Sequence, residues 1–390
     1  MITLVINIRE KTEKYILSVI LYERKDFGAR CLLNVLGGLS RIFRLIVQSR
    51  LWLYKHGIFR RKTLGCMTIS IGNLTVGGTG KTPIVEMFAR ALEKEGRKVA
   101  ILSRGYRSVS KPFLVRGLDF VFKHRMKYEP KIVSDGRATL LDSLHAGDEP
   151  YMLAKNVKSA IVLVDKNRVK SGAYAIKNYA VDTLLLDDGF QYLHLDRRFD
   201  VVLIDATSPF GNEKLLPRGE LREKVNNLRR ANIVFITKAG DRNILPLKNR
   251  IRAINPKAEI ILCVHDPLYF EEVYGGTKEN LEFIKGKKII SLSAIAKPKG
   301  FEYALEELGA SIVSAHRFTD HHRFSQQEII DIINVALDKE VDAIITTEKD
   351  SVRFPYVSKT EVPIYFLRVR IEITEGAKDF NDCVSRICFS

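Results

Sequence analysis

One stretch, "MTISIGNLTVGGTGKTPIVEMFARAL", constrains the fold more than any other part of the chain. An apolar run over residues 67–73 leads into Gly77, Gly78 and Gly80, then Lys81 and Thr82, and then a segment with helical periodicity. Glycine takes positive φ at no steric cost and lets a ligand approach the backbone closely. A strand, such a loop and a helix N-terminus together form an anion nest, with amides and the helix dipole aimed at one place. Thr75, Val76, Gly77, Gly78, Thr79, Gly80, Lys81 and Thr82 are therefore expected to cradle the phosphates of a nucleotide. Lys81 would reach the β- and γ-phosphates, and the Thr82 hydroxyl would ligate Mg2+. Pro83 is compatible with a first helical turn, where its missing N–H has no internal acceptor. The pattern G-x-x-x-x-G-K-S/T starts here with Thr75 rather than glycine. A plain strand-to-helix turn would give Lys81 and Thr82 no purpose.

After residue 63 the chain alternates strands and helices. "MTISIGN" (67–73), "KVAILSR" (98–104), "AIVLVD" (160–165), "VDTLLLDD" (181–188), "DVVLIDA" (200–206) and "NIVFITK" (232–238) are mostly continuous apolar runs. Such runs mark strands covered on both faces, hence a largely parallel α/β sheet of the P-loop NTPase type. A second series follows: "EIILCVH" (259–265), "KKIISLSA" (287–294), "SIVSAH" (311–316), "VDAIITT" (341–347) and "VPIYFLRV" (362–369), with helices such as "SQQEIIDIINVALDK" between them. The polar stretch 239–257 suggests a boundary between a domain at 63–240 and a second, smaller α/β domain at 241–390.

Residues 1–62 lack strand alternation and suggest helices. In the second of these, a rotation of about 100° per residue gathers Arg30, Asn34, Arg41, Arg44, Gln48 and Lys55 into one wedge, with leucine, isoleucine, phenylalanine and tryptophan filling much of the rest. Arg50 breaks the pattern, and Gly37-Gly38 is a candidate break in the helix. A basic stripe beside a wide apolar face suits an anionic bilayer surface, although a helix packed on its own domain with its arginines in water would look the same. No run of 18 apolar residues occurs, so no bilayer-spanning helix is expected, and the charged start argues against a signal peptide. The formal charge of +17 implies a polyanionic partner: nucleic acid, anionic lipid or a phosphorylated substrate. The five cysteines, odd in number and without metal-ligand spacing, fit reduced thiols in a cytoplasmic protein.

A phosphate loop needs an acid to hold the metal and a group to position the nucleophile. "LLLDDGFQ" runs from buried leucines into Asp187 and Asp188 at a carboxyl edge, where open α/β sheets bind ligands. One could hold Mg2+ through water and the other orient the acceptor; a turn or helix cap is the simpler alternative. Asp205 ends a neighbouring strand and ranks below them. Asp148 and Glu149 precede a helix, where capping would account for one of them. "FTDHHRF" offers Asp320, His321 and His322, and a histidine there could accept a proton. Arg104, Arg107, Arg218 and Arg222 lie in loops after strands, where arginine suits phosphate recognition or simply water.

Taken in order, "SIGNLTVGGTGKTP", "LSRGYR", "GDEPYMLA", "DDGFQ", "LPRGELRE", "FTDHHRF" and "TTEKDSVRF" resemble the motifs of the tetraacyldisaccharide 4′-kinases, the lipid A 4′-kinases, from about residue 30 to about 370. The resemblance implies transfer of the ATP γ-phosphate, with Mg2+, to the 4′-hydroxyl of a tetraacylated glucosamine disaccharide 1-phosphate. It also implies a peripheral enzyme on the cytoplasmic face of the inner membrane, acting on a lipid A disaccharide precursor and an anionic membrane surface. No nucleic acid and no protein partner is expected. By the same resemblance, Asp148 works with His321 on the acceptor hydroxyl. Asp187 and Asp188 surround Mg2+, and Glu149 and Arg222 are further site residues. The chain departs from the family's pattern at Tyr192, where histidine is usual with His194 nearby, and at Ala294, where glycine is usual. The rival reading is a P-loop GTPase or metallochaperone-type NTPase. Guanine readers carry N/T-K-x-D, and here "TKAGD" has Gly240 where the aspartate should stand. A nucleic-acid-binding ATPase is suggested by charge alone, without aromatic–basic interleaving.

Overall fold

The computed structural model describes residues 15–16, 18–20, 24, 26–105, 129–240, 242–357 and 360–389. Its elements are α1 (Phe27–Lys55), β1 (Met67–Asn73), α2 (Lys81–Lys94), β2 (Val99–Ser103), β3 (Lys131–Asp135), α3 (Ser143–Ala146), α4 (Asp148–Asn156), β4 (Ile161–Val164), α5 (Arg168–Tyr179) and β5 (Thr183–Asp187). Then come β6 (Phe199–Asp205), β7 (Ile233–Thr237), α6 (Leu245–Ile254), β8 (Glu259–Glu272), β9 (Lys278–Glu279) and β10 (Lys288–Ser293). The chain finishes with α7 (Pro298–Glu307), β11 (Ser311–Arg317), α8 (Gln326–Asp338), β12 (Ala343–Thr347), α9 (Glu348–Ser351), β13 (Ile364–Glu375) and α10 (Ala377–Phe389).

The apolar runs form strands because helices bury both faces of the sheet they build. Both series belong to one sheet, ordered β11-β10-β12-β13-β8-β7-β6-β1-β5-β2-β4-β3, with β9 on β8. Pairing is parallel except at β3–β4, β8–β13 and β8–β9. β8 joins the halves: Glu259–Cys263 run parallel to β7, and the strand then continues antiparallel to β13. The sequence showed only the first half of β8, since Asp266-Pro267 interrupts its apolar run and the residues beyond are mostly half-buried, with Phe270 buried.

On one face, Ile84, Val85, Phe88 and Leu92 of α2 pack on Ile69 and Ile71 of β1. The Phe88 ring meets Phe235 at 5.9 Å and Phe380 at 5.1 Å, edge to face, so α10 returns the C-terminus to the first half of the sheet. Burying a ring of this size stabilises by about 1.5–3 kcal/mol. The other face holds Leu74, Phe190, Val202, Phe210 and Ile251, with Phe43 of α1 against them. Within the polar stretch 239–257, α6 thus contributes Ile251 to the first half's core.

α1 is unbroken at Gly37-Gly38, because Gly37 is where the helix meets the body: a Cβ there would approach Arg218 Nη1 to 3.2 Å. Ser40 donates to the Leu215 carbonyl at 2.9 Å. The face turned away exposes Val35, Leu39, Ile42, Leu45, Ile46 and Trp52. By length and composition α1 could cross a membrane, contrary to the expectation from unbroken apolar runs; scattered polar residues interrupt the run without removing its apolar character.

Candidate functional site

Neighbouring β6, β1, β5 and β2 end at one carboxyl edge, bringing Asp205, Asn73, Asp187 and Ser103 side by side. The glycine-rich loop leaves β1 there. Gly77 and Gly80 have φ of 106° and 78°, and Gly80 is the N-cap of α2 in the left-handed region. A Cβ on Gly80 would also stand 2.8 Å from His265 Nε2, so a larger residue there would be strained and would displace that ring. The loop is pinned at its start, where Val76 N–H donates to the Glu220 carbonyl at 2.8 Å and Arg222 N–H to the Leu74 carbonyl at 2.7 Å. Inside it, Asn73 Nδ2 donates to Thr79 Oγ1 at 3.1 Å, and Thr237 Oγ1 to the Thr79 carbonyl at 3.1 Å. The Lys81 ammonium lies 3.4 Å from Asn73 Oδ1 and 3.7 Å from Asp188 Oδ1, while Thr82, beside it in the first turn, is half-buried.

The adjacent aspartates have different surroundings. Asp188, at φ 50°, receives Arg222 Nη1 at 2.7 Å on both oxygens. Burial would raise its pKa, but Lys81 and Arg222 outweigh that and hold it below the usual carboxylate range. Asp187 is buried; Ser103 Oγ donates to its Oδ2 at 3.0 Å, and its Oδ1 has no hydrogen-bond partner among the described residues. Burial, reinforced by the charges of Glu149 and Asp188, pushes its carboxyl up to about 7. Gly189 permits the tight exit, since a Cβ there would meet Leu186 Cβ at 2.5 Å.

Asp148 and His321 come together from opposite halves of the sheet. Gly147, at φ 93°, is the N-cap of α4, so Asp148 is free of capping and its buried carboxylate turns to the second half. His321 Nδ1 lies 3.3 Å from Asp148 Oδ2, Arg353 Nε donates to the same oxygen at 2.8 Å, and Arg323 Nη2 donates to Oδ1 at 3.1 Å. Burial works to raise the Asp148 pKa, but His321, Arg353 and Arg323 outweigh it and the carboxyl lies below its usual range. His321 itself has a positive φ of 64°. Lys349 Nζ lies 3.3 Å from His321 Nε2 and 3.4 Å from Glu149 Oε1. Asp320 Oδ2 is 3.9 Å from His321 Nε2, while α8 is capped by Ser325 and not by Asp320. His322 pairs with Glu328 at 3.1 Å, turned away from Asp148.

Asp205 accepts from Lys238 Nζ at 2.9 Å and Lys297 Nζ at 3.0 Å, a bridge between the halves. Burial is outweighed by Thr207 and the two lysines, leaving this carboxyl well below its usual range. His265, beneath Gly80, is pushed down to about 4 by burial and by Lys238.

Of the expected arginines, Arg222 reaches Asp188, Arg104 is exposed at the end of β2, Arg218 packs on α1, and Arg107 lies outside the described residues. Tyr192 takes a supporting place: its hydroxyl accepts the Arg168 N–H at 3.0 Å, and the Arg168 guanidinium lies 5.0 Å over its ring. Arg168, buried and donating Nη2 to the Asp187 carbonyl at 3.0 Å, was not foreseen, nor were Arg323, Lys349, Asp350 and Arg353. A signal for the last three existed in "TTEKDSVRF", where Asp350 and Arg353 stand three residues apart just after an apolar strand.

Comparison with known proteins shows the family. Residues 32–388 match the family model described as tetraacyldisaccharide-1-P 4′-kinase. Proteins named tetraacyldisaccharide 4′-kinase from Halothermothrix orenii and Syntrophus aciditrophicus are 33% and 35% identical, each over 90% of this chain and 90% and 91% of their own. The crystal structure of the apo form of LpxK from Aquifex aeolicus in complex with ATP superposes with a TM-score of 0.69 at 24% identity, covering 92% of this chain and 100% of that one, a likeness of fold. With its matching model spanning nearly the whole length and these relatives over nine-tenths of it, the chain belongs to the tetraacyldisaccharide-1-P 4′-kinase family.

Proposed function

We propose that this protein is a lipid A 4′-kinase, transferring the γ-phosphate of ATP to the 4′-hydroxyl of tetraacyldisaccharide 1-phosphate. One observation carries the reading: the Asp148–His321 pair, at 3.3 Å, in the same structure as a glycine-rich loop whose Lys81 faces Asp188 at 3.7 Å. Lys349 ties His321 to Glu149, and Glu149 is near enough for its charge to act on Asp187, next to Asp188. The relatives' name, and the ATP held by the solved neighbour, point the same way.

In this reading Lys81 and the loop amides beyond Val76, whose own N–H is taken by the Glu220 carbonyl, hold the triphosphate. The unpartnered Asp187 Oδ1, next in the chain to Asp188, is the kind of oxygen donor a hard cation takes, and with the Thr82 hydroxyl these residues would hold Mg2+. When bound, Mg2+ neutralises charge on the β- and γ-phosphate oxygens. An ionised Asp148 takes the Nδ1–H of His321; once Lys349 Nζ, 3.3 Å from Nε2, gives way to the acceptor, Nε2 accepts the hydroxyl proton as the acceptor oxygen bonds the γ-phosphorus and ADP departs with the bridging oxygen. Arg104 and Arg222, with Arg107, are assigned to the anionic groups of the reactants. A kinase domain at 63–240 and a smaller domain at 241–390 would close over the reactants and exclude water. The exposed apolar face of α1, flanked by Arg41 and Arg44, would rest on the anionic cytoplasmic face of the inner membrane, where the acyl chains remain.

The test is incubation with tetraacyldisaccharide 1-phosphate in mixed micelles, Mg2+ and either ATP or GTP. The bisphosphorylated disaccharide, formed faster with ATP, is the expected product. No product, or a preference for GTP, would return the chain to the NTPase reading.

A further inference from the structure

Arg353 is fully buried, at 0% side-chain exposure, and all its contacts converge on the Asp148–His321 pair and its support. Nε donates to Asp148 Oδ2 at 2.8 Å, Nη1 to Asp350 Oδ1 at 2.8 Å and to the Ala294 carbonyl at 3.3 Å, and Nη2 lies 3.2 Å from His321 Nδ1. Asp350 is anchored in turn: its Oδ2 accepts from Ala294 N–H at 3.0 Å and from Thr347 Oγ1 at 2.7 Å. The Ala294 carbonyl also receives the His321 backbone N–H at 3.2 Å. The backbone of one residue, through its N–H and its carbonyl, therefore holds the histidine's backbone, the arginine and the arginine's anchor. Only backbone atoms of Ala294 take part, so alanine serves here as well as glycine.

We infer that Arg353, locked by Asp350, is a positioning residue that sets where Asp148 Oδ2 sits and thereby the ring orientation of His321. The reasoning rests on the shared oxygen. Oδ2 takes both the guanidinium at 2.8 Å and the imidazole at 3.3 Å, and the shorter, charge-assisted bond dictates the position. A planar guanidinium bonded through Nε to Asp148 and through Nη1 to Asp350 cannot turn without breaking a bond, whereas an ammonium in its place would be a point charge free to shift. Burying such an ion costs several kcal/mol that an apolar side chain would avoid, so a need for packing alone would not place it here. The inference deepens the kinase reading above and depends on it.

The test is a double-mutant cycle on the full chain with the disaccharide, ATP and Mg2+. Arg353→Lys is expected to lower kcat at least about 10-fold with KM for ATP within about 2-fold. In the Asp148→Asn background the same substitution should change kcat less than about 2-fold, because its effect runs through that carboxylate. Asp350→Asn, which keeps the guanidinium and loosens its anchor, should repeat the pattern and serves if Arg353→Lys misfolds. Equal losses in both backgrounds, unchanged kcat in the folded variants, or failure of both variants to fold would overturn the inference and leave Arg353 a residue of the fold. Full activity of Asp148→Asn alone would instead remove the reading of the site on which the inference rests.

Discussion

At the residue scale the site is built on unequal treatment of chemically identical groups. Asp187 and Asp188 are neighbours in sequence, yet one is buried with an open oxygen and the other is clamped by Arg222 and faced by Lys81. The strand and its two acids could be read from the sequence. Their division of labour could not, because it depends on Arg222 and Ser103 arriving from remote segments. The same holds for Asp148, whose position before a helix suggested capping until Gly147 was seen to take the cap. Lys81→Ala should lower turnover at least about 10²-fold, since the cation facing the developing charge is lost; a steady-state assay would show it. Asp205 makes a different prediction. Its folded-state pKa is depressed, so it contributes stability that is present above the unfolded value of about 3.9 and lost as pH falls through the lower folded value. Asp205→Asn should be destabilised at pH 7 in urea titrations, and the gap to the parent should close progressively below about pH 4.

Among the elements, those with continuous apolar runs were legible almost to the residue, β1 at 67–73 being the plainest case. β3 escaped because "KIVSD" is a short edge strand, antiparallel to β4, with little apolar signal. α9 escaped because a single turn has no periodicity to detect, yet it carries Lys349 and Asp350 to the site. α1 was legible as a helix but not in its orientation. The residues that dock it, Leu36, Gly37 and Ser40, sit on a different face from the apolar residues left bare. Leu39→Lys with Ile46→Lys puts charge in the bare face and should reduce co-sedimentation with anionic vesicles several-fold while leaving activity on a micellar substrate largely intact. Unchanged co-sedimentation would show that the membrane is met elsewhere.

For the whole molecule, the joint between the two strand series is what makes a site at all. β8 and β13 cross it as one ladder, and Arg368 binds Glu86 from the first half and Glu348 from the second, with Asn156 donating to both acids. Arg368→Met would leave the half-buried Glu348 without its cation and buried Glu86 with Arg90 alone. A loss of about 3–5 kcal/mol in denaturant titrations is expected, with the halves melting less cooperatively. This joint was not legible in the sequence, because long-range ion pairs leave no local pattern; only the two strand series and the polar stretch between them were visible. What the joint delivers is His321 beside Asp148, with Lys349 tying the histidine to Glu149 of the first half. The most direct measurement of that claim is turnover of Asp148→Asn alongside its affinity for ATP. The account predicts turnover lower by at least about 10²-fold with ATP affinity within about 2-fold of the parent. Near-parental turnover, or a loss of ATP affinity matching the loss of turnover, would contradict it.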